Sequence, residues 1–186
     1  MALLPEIKGT NVILREIRET DIDDRAAIGR HNEFVHMCGG ERMEKAQYPE
    51  RSYYLDWYEN YKKEECAFIV EIGGKCVGTA RFHKISQTDK SASYAIGIFD
   101  PNLHSKGIGT EVTALMLEYG FETLKLHRIE LRVLDYNKRG IRCYEKCGFK
   151  IDGVLRESAF VDGAYHSDIV MSILEDEFRQ KNLNKD

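Results

Sequence analysis

No run of about 18 apolar residues occurs in the 186-residue chain, so no membrane-spanning helix is expected. No basic N-terminus leads into an apolar stretch either, so no export signal is expected and the default address is the cytoplasm. An excess of positive charge is also missing. Lys plus Arg number 27 against 31 Asp plus Glu, a net charge of -4, which argues against a general nucleic-acid binder because backbone phosphate affinity comes from clustered cations. There is no CxxC pair and no His-Glu-x-x-His, and the six histidines complete no ligand set, so no metal is expected. The five cysteines, Cys38, Cys66, Cys76, Cys143 and Cys147, are odd in number and read as reduced packing residues. A hairpin turn at Gly73-Gly74 would set Cys76 opposite Glu71 and Cys66 opposite Arg81, so those two would not pair. Prolines number only three, and 42% hydrophobic residues accompany 31% charged ones; this is the profile of one ordered domain, residues 1–186.

What is present is a mixed order of elements. NVILREI reads as a strand, and TDIDDRAAIGR as a helix with Thr20 or Asp21 as N-cap. Residues 31–50 read as irregular. The next segment is helical, with Tyr54, Leu55, Tyr58 and Tyr61 on its apolar spacing. A hairpin around Gly73-Gly74 and a third strand, SASYAIGIFD, follow. An amphipathic helix from Gly107 to Leu124 leads to the strand HRIELRVLD. A short helix then stops at Gly148, and two final strands hinge on Asp162-Gly163. The order β-α-α-β-β-β-α-β-α-β-β describes a mixed α/β (α+β) fold. Its strand-helix-strand passage suggests one parallel pair in an otherwise antiparallel sheet.

That passage contains FDPNLHSKGIGTE. At a helix N-terminus the first N–H groups lack intrahelical partners and the macrodipole is positive, so an anion there is stabilised. Gly107 and Gly109 clear the approach and Lys106 adds a mobile charge. The Walker spacing and the third glycine of the dinucleotide fingerprint are both absent, so neither a nucleoside triphosphate nor a nicotinamide is the anion.

IGIFDPNLHSKGIGTE, VLDYNKRGIRCYEKCGFKIDGVLRE and DGAYHSDIVMSIL, in that order, resemble the GNAT superfamily of acetyl-CoA-dependent N-acetyltransferases. The likeness is closest to the branch of ribosomal-protein-alanine and polyamine N-acetyltransferases, and runs from Val12 to Leu174. It implies the GNAT fold, a mostly antiparallel sheet of six to seven strands flanked by helices, with a central parallel pair at the cofactor cleft. It implies acetyl-CoA as co-substrate, with the pyrophosphate cradled by the backbone of His104, Ser105, Lys106, Gly107, Ile108, Gly109 and Thr110 and the pantetheine arm lying along Gly97, Ile98 and Phe99. His104 departs from the family's usual Arg or Gln. Asn137 would hydrogen-bond the cofactor and Tyr144, seven residues on and on the same helix face, would donate a proton to the leaving thiolate. A tyrosine of pKa about 10 is a weaker acid than a thiol of about 8.5, so Tyr144 should assist rather than be indispensable.

A primary ammonium cannot attack a thioester, and only about one amine in a few thousand is neutral at pH 7, so a base is required. Many relatives carry a glutamate just before the Ile-Gly pair of the strand; here that position is Ala95. Glu33, Glu41, His83, Glu157 and Asp168 are the candidates by chemistry, and Tyr94 reads as sheet packing. No cysteine is spaced to form an acyl-enzyme, so direct attack by the amine is expected, with the oxyanion held by a backbone N–H near Ile96 to Ile98. The acceptor stays open between a polyamine, a protein N-terminus, an amino acid and an amino sugar. Tyr48, Tyr53, Tyr54, Trp57 and Tyr58 form either a cation-binding wall or core packing. The exposed C-terminal strands allow a homodimer. The rival readings are a non-catalytic acyl-CoA binding or sensing module, to which Ala95 points, and an unrelated α/β binding domain.

Overall fold

The computed structural model describes residues 4–183. Its strands are β1 (Ile7–Lys8), β2 (Ile13–Arg15), β3 (Cys66–Ile72), β4 (Lys75–Ser86), β5 (Ser91–Ile98), β6 (Arg128–Leu134), β7 (Lys150–Val161) and β8 (Ala164–Leu174). The helices are α1 (Thr20–Ile28), α2 (Asn32–Met37), α3 (Arg51–Tyr61), α4 (Ile108–Glu118), α5 (Lys138–Cys147) and α6 (Glu175–Leu183). All strands join one sheet in the order β1-β2-β3-β4-β5-β6-β8-β7, antiparallel except for β5 and β6. The count of eight exceeds the six to seven expected because Ile7–Lys8 pairs on β2 as an extra edge.

The continuous apolar run of β3 is explained by burial on both faces. Cys66, Phe68 and Val70 point into the cluster that receives Val112, Met116 and Leu117 of α4. Ala67 and Ile69 point the other way, into a cluster with Cys76, Phe99 and Tyr61 of α3. Tyr54 and Tyr58 of α3 pack with Ile22 of α1 in a third cluster, whereas Leu55 and Tyr53 are exposed, as is Tyr48 in the loop before α3. The tyrosines at helical spacing are therefore core, and none of this group lines the cavity described below.

Three sequence expectations are corrected. Cys66 lies opposite Phe82 rather than Arg81, because a bulge at Val70/Glu71 shifts the register by one, although Cys76 does face Glu71. Cys66 and Cys76 accordingly sit on opposite faces of the sheet. Residues 31–50 are not wholly irregular: they hold α2 and an antiparallel bridge between Arg30 and Gln47. Neither Thr20 nor Asp21 caps α1. The helix starts after Glu19 without a side-chain cap, because the Asp21 carboxylate is taken by Arg15.

That contact is a buried electrostatic knot. Arg15 is buried, and its two terminal nitrogens meet both oxygens of Asp21 at 2.8 and 2.7 Å. Its Nε donates to Glu71, and Asp21 also accepts the Arg18 N–H at 2.6 Å. The knot ties β2, α1 and β3 together. Removing one member leaves an uncompensated buried charge. Asp21→Ala is expected to lower unfolding free energy by about 3–5 kcal/mol, read from the midpoint of urea denaturation at unchanged slope.

Candidate active site

β5 and β6 pair only at Ser91↔Arg128, Ala92↔Ile129 and Ser93↔Glu130. Beyond Ser93 each strand follows its outer neighbour. β5 stays with β4 as far as Gly78↔Ile98, and β6 stays with β8 as far as Leu134↔Asp168. Between them opens a cavity of about 720 Å³ lined by Tyr94 to Ile98 on one strand and Arg132 to Leu134 on the other. Tyr94 fills the root of the split: buried, it shares a hydrogen bond with Thr113 Oγ1 at 3.1 Å and stacks on Phe149. It is packing, as its place in the sequence suggested.

The passage from β5 through α4 to β6 brings the start of α4 to this cavity. Asp100 caps a short 3-10 turn over Pro101–Leu103 by accepting from Asn102. Ser105 (φ 61°) and Gly107 (φ 84°) then take left-handed backbone, and the first turn of α4 follows. A Cβ at Gly107 would meet nothing within 4 Å, so glycine serves the conformation there rather than the space. The N–H groups of Ile108, Gly109 and Thr110 lie in the first helical turn, before intrahelical acceptors begin.

The expected cofactor residues are distributed unevenly. Gly97, Ile98, His104, Ser105, Gly107, Gly109, Thr110, Asn137 and Tyr144 all line the cavity. Lys106 is exposed beside it. Phe99 and Ile108 turn their side chains into the core, and the Phe99 N–H is already donated to Val77, so only other backbone atoms of these two are left for a ligand. The Phe99 ring instead carries the buried Arg25 guanidinium at 3.9 Å. Gly97 has a second role, since a Cβ there would stand 2.8 Å from the Phe34 ring, so α2 closes on β5 only across a glycine.

His104 is drawn inward. Its Nε2 lies 2.9 Å from the Ile98 carbonyl and its Nδ1 lies 3.2 Å from Glu33 of α2. Glu33 also accepts from Arg139 of α5. Burial works to raise the Glu33 carboxyl, but Arg139 and then His104 outweigh it and hold the group below the ordinary 4.5. Glu33 is therefore a strap between α2, the turn and α5, and a weakened base. Glu41 is exposed in the loop after α2, His83 faces Ser93 across the sheet, and Glu157 stands exposed in a bulge of β7 with φ 53°. Of the five base candidates only Asp168 lines the cavity. It is half-buried on β8 and accepts from Ser158 at 3.0 Å, while its own N–H is donated to the same hydroxyl at 3.0 Å.

On α5, Asn137 and Tyr144 share the cavity face, as their spacing implies. Asn137 is the helix N-cap: its Oδ1 accepts the Gly140 N–H at 2.9 Å, leaving Nδ2, 3.5 Å from the Met37 carbonyl, as its donor. The Tyr144 ring packs edge-on against Tyr94 and Phe149. Burial, with the Cys143 sulfur beside it, pushes its hydroxyl far up, so it holds its proton at every physiological pH. Two features escaped the sequence reading. Arg139, Arg142 and Lys146 bring positive charge to the cavity from one side of α5, a spacing that helical periodicity would have exposed. Cys143, read as packing, also lines the cavity.

Glycine turn, helix start and cationic α5 fit an anionic cofactor, and the split sheet that frames them is that of an acyltransferase. The chain belongs to the GNAT acetyltransferase family: the model of the acetyltransferase (GNAT) domain matches residues 11–150. Spermidine N(1)-acetyltransferase of Escherichia coli (strain K12) is 30% identical over 66% of this chain and 67% of its own. Its Vibrio cholerae counterpart is 29% identical over 80% of this chain and 90% of its own. The crystal structure of spermidine N-acetyltransferase from Vibrio cholerae in complex with CoA and spermine shares the fold with TM-score 0.75, at 24% identity over 92% of this chain and 99% of that one.

Because Glu33 sits below its ordinary pKa, its strap is present above pH 4.5 and is lost as pH falls through the folded value. Glu33→Gln should speed amide exchange in residues 31–37 at neutral pH while costing no more than about 1 kcal/mol of global stability, the pair being partly exposed. The variant and the native protein should converge in exchange rate at acid pH.

Proposed function

We propose that this chain, as a single domain over residues 1–186, moves the acetyl group of acetyl-CoA to a primary amine by direct attack. The observation that carries the reading is the split between β5 and β6, which opens at the start of α4 into a cavity with cations from α5 and, among the described residues, one lining carboxylate, Asp168. The turn from His104 to Thr110 would receive the pyrophosphate on its backbone N–H groups, with Arg139, Arg142 and Lys146 available to the remaining phosphate charge. The edge of β5 that leaves β6 after Ser93 would hold the pantetheine arm beside Gly97 and Ile98.

Bound there, acetyl-CoA supplies an activated acyl group; the protein residues supply placement and protons. Tyr144, which keeps its proton, donates a hydrogen bond toward the sulfur. Its raised pKa makes full proton transfer unfavourable, so it acts by stabilising charge. Asp168 faces the acceptor side and attracts an ammonium group, from which it can take, through water, the proton whose loss frees the nitrogen lone pair for attack. Its fixed orientation toward Ser158 suits an anchor. This assigns to Asp168 the task that Ala95 cannot perform.

A cationic small amine of the polyamine type is the acceptor class to test first, because Asp168 complements it and the named relatives act on spermidine. A cytoplasmic site of action and a homodimer complete the proposal. Supporting the dimer, β7 is an edge strand with Ile151, Val154 and Phe160 exposed, beside exposed Tyr165 of β8. Sedimentation velocity would report it as a doubled mass.

Thiol release from acetyl-CoA should saturate with spermidine and fall short of saturation with Ala-initiated peptides, amino acids and aminoglycosides. Tight calorimetric binding of acetyl-CoA without turnover on any amine would favour a sensing module, and no binding would sink the proposal. Tyr144→Phe is expected to lower kcat about 10- to 100-fold with KM nearly unchanged. Asp168→Asn is expected to raise the amine KM about tenfold or more and leave acetyl-CoA binding intact.

A further inference from the structure

The cations that reach the cavity from α5, Arg139, Arg142 and Lys146, belong to a helix whose Ile141, Tyr144 and Cys147 pack into the cluster beneath α4. One more arginine lines the cavity and has no task in the acetyl-transfer reading. Arg132 comes from β6 and stands on the other side of the sheet. Ile129, Leu131 and Val133 point into the cluster beneath α4, so Arg132 and Leu134 alternate to the opposite face. Leu134 shows what covers that face: a Cβ on Gly39, just past α2, would lie 3.4 Å from its side chain. Leu134 is buried there, whereas Arg132, two residues earlier, is exposed.

The strand registers relate Arg132 to the acceptor groups. Asp168 lies opposite Leu134 and Val170 opposite Arg132, so Asp168 is the diagonal neighbour of Arg132 on the same face, roughly 7 Å away. Ala95 stands on the other lip of the split at the same level. Both it and Arg132 are two residues past the last β5–β6 pair, Ser93↔Glu130, and on the face that carries the Ser93–Glu130 contact of 3.4 Å. Other basic groups on this face are neutralised. Arg81, opposite Ala95 on β4, pairs with Glu64 at 3.0 Å, and Arg128 pairs with Glu130 and Asp152 at 2.9 Å each. His83, opposite Ser93, is held below its ordinary 6.5 by burial and then by Arg81 and Lys84, so it adds little charge at neutral pH. Arg132, among the described residues, has no carboxylate at ion-pair distance. Its guanidinium is a permanent positive charge open to a molecule held beside Asp168.

We propose that Arg132 is a specificity-determining residue of the acceptor site. It selects acceptors by the charge a few carbons from the reacting amine, disfavouring a second ammonium there and favouring a carboxylate. Asp168 compensates one ammonium, and a second one close behind it meets an uncompensated like charge. The effect lowers the efficiency of a short diamine without forbidding a longer polyamine, whose next ammonium can lie farther out. This selection rests on the amine-acetylation reading given above; the place of Arg132 on the acceptor face does not.

Three acceptors with the same three-carbon chain isolate the charge: n-propylamine, 1,3-diaminopropane and β-alanine. For each, kcat/KM would be measured by thiol release at saturating acetyl-CoA, pH 7 and low salt, with the native full chain, Arg132→Gln and Arg132→Lys. Relative to propylamine, Arg132→Gln should raise 1,3-diaminopropane about fivefold or more and lower β-alanine by a similar factor. Arg132→Lys keeps the charge and should keep the native ratios. Added salt at about 0.5 M should shrink the native preference, the arginine being exposed. General damage to the site would lower all three acceptors together and leave the ratios alone. Unchanged ratios in Arg132→Gln, or shifts of the same sign for the diamine and β-alanine, overturn the proposal. Absence of turnover with every amine would sink the transferase reading instead. Dissociation constants of the same three compounds, from NMR titration of the native chain and Arg132→Gln, would then decide the residue: opposite shifts uphold it and equal ones overturn it.

Discussion

The site depends on two neighbouring strands parting. A parallel pair costs little to end early if each strand keeps its outer hydrogen-bond partner, and here both do: β5 remains on β4 through Ile98 and β6 on β8 through Leu134. The gap is held open by what fills its root. Tyr94, Tyr144 and Phe149 pack ring to ring where β5 and β6 separate, and the Tyr94 hydroxyl is satisfied by Thr113 of α4. A cavity is thereby made with the Tyr94 hydroxyl paired at its base.

Everything chemical in the cavity is then delivered by elements that end or begin at its rim. α4 starts there because the β5-to-β6 crossover must return along the sheet, and α5 starts there because it follows β6 directly. Two helix N-termini and the cations of α5 make the region electropositive. Glu33 already exploits it by bridging Arg139 and His104 across the cleft.

Local chemistry was legible from the residues. The Gly148 stop and the Gly73-Gly74 hairpin are each set by backbone sterics or by hydrogen bonds within a few residues, and each lies where the chain order puts it. The pairing of Asn137 with Tyr144 on one face follows from helical period alone. Less legible were contacts between segments distant in sequence. Arg15 in a strand reads as a solvated charge, yet it is buried because Asp21 and Glu71 converge on it. The Glu33–Arg139 bridge joins residues 106 apart, and no local pattern predicts it.

By itself, then, the sequence determined the order of elements, the glycine turn before α4, the identity of the side chains on α5 and the family to which the chain belongs, because these reside in short-range geometry and ordered motifs. The tertiary structure alone decided which carboxylate shares the cavity. Glu33, Glu41, His83, Glu157 and Asp168 are chemically comparable on paper; only strand order and the β7 bulge around Ser158 place Asp168 there, and only the closure of α2 over Gly97 withdraws Glu33 into an ion pair. The same holds for Cys143, whose helical position is plain in the sequence but whose environment exists only once α5 packs on the start of α4. Distance through space, which sets electrostatic energy, is not written in distance along the chain.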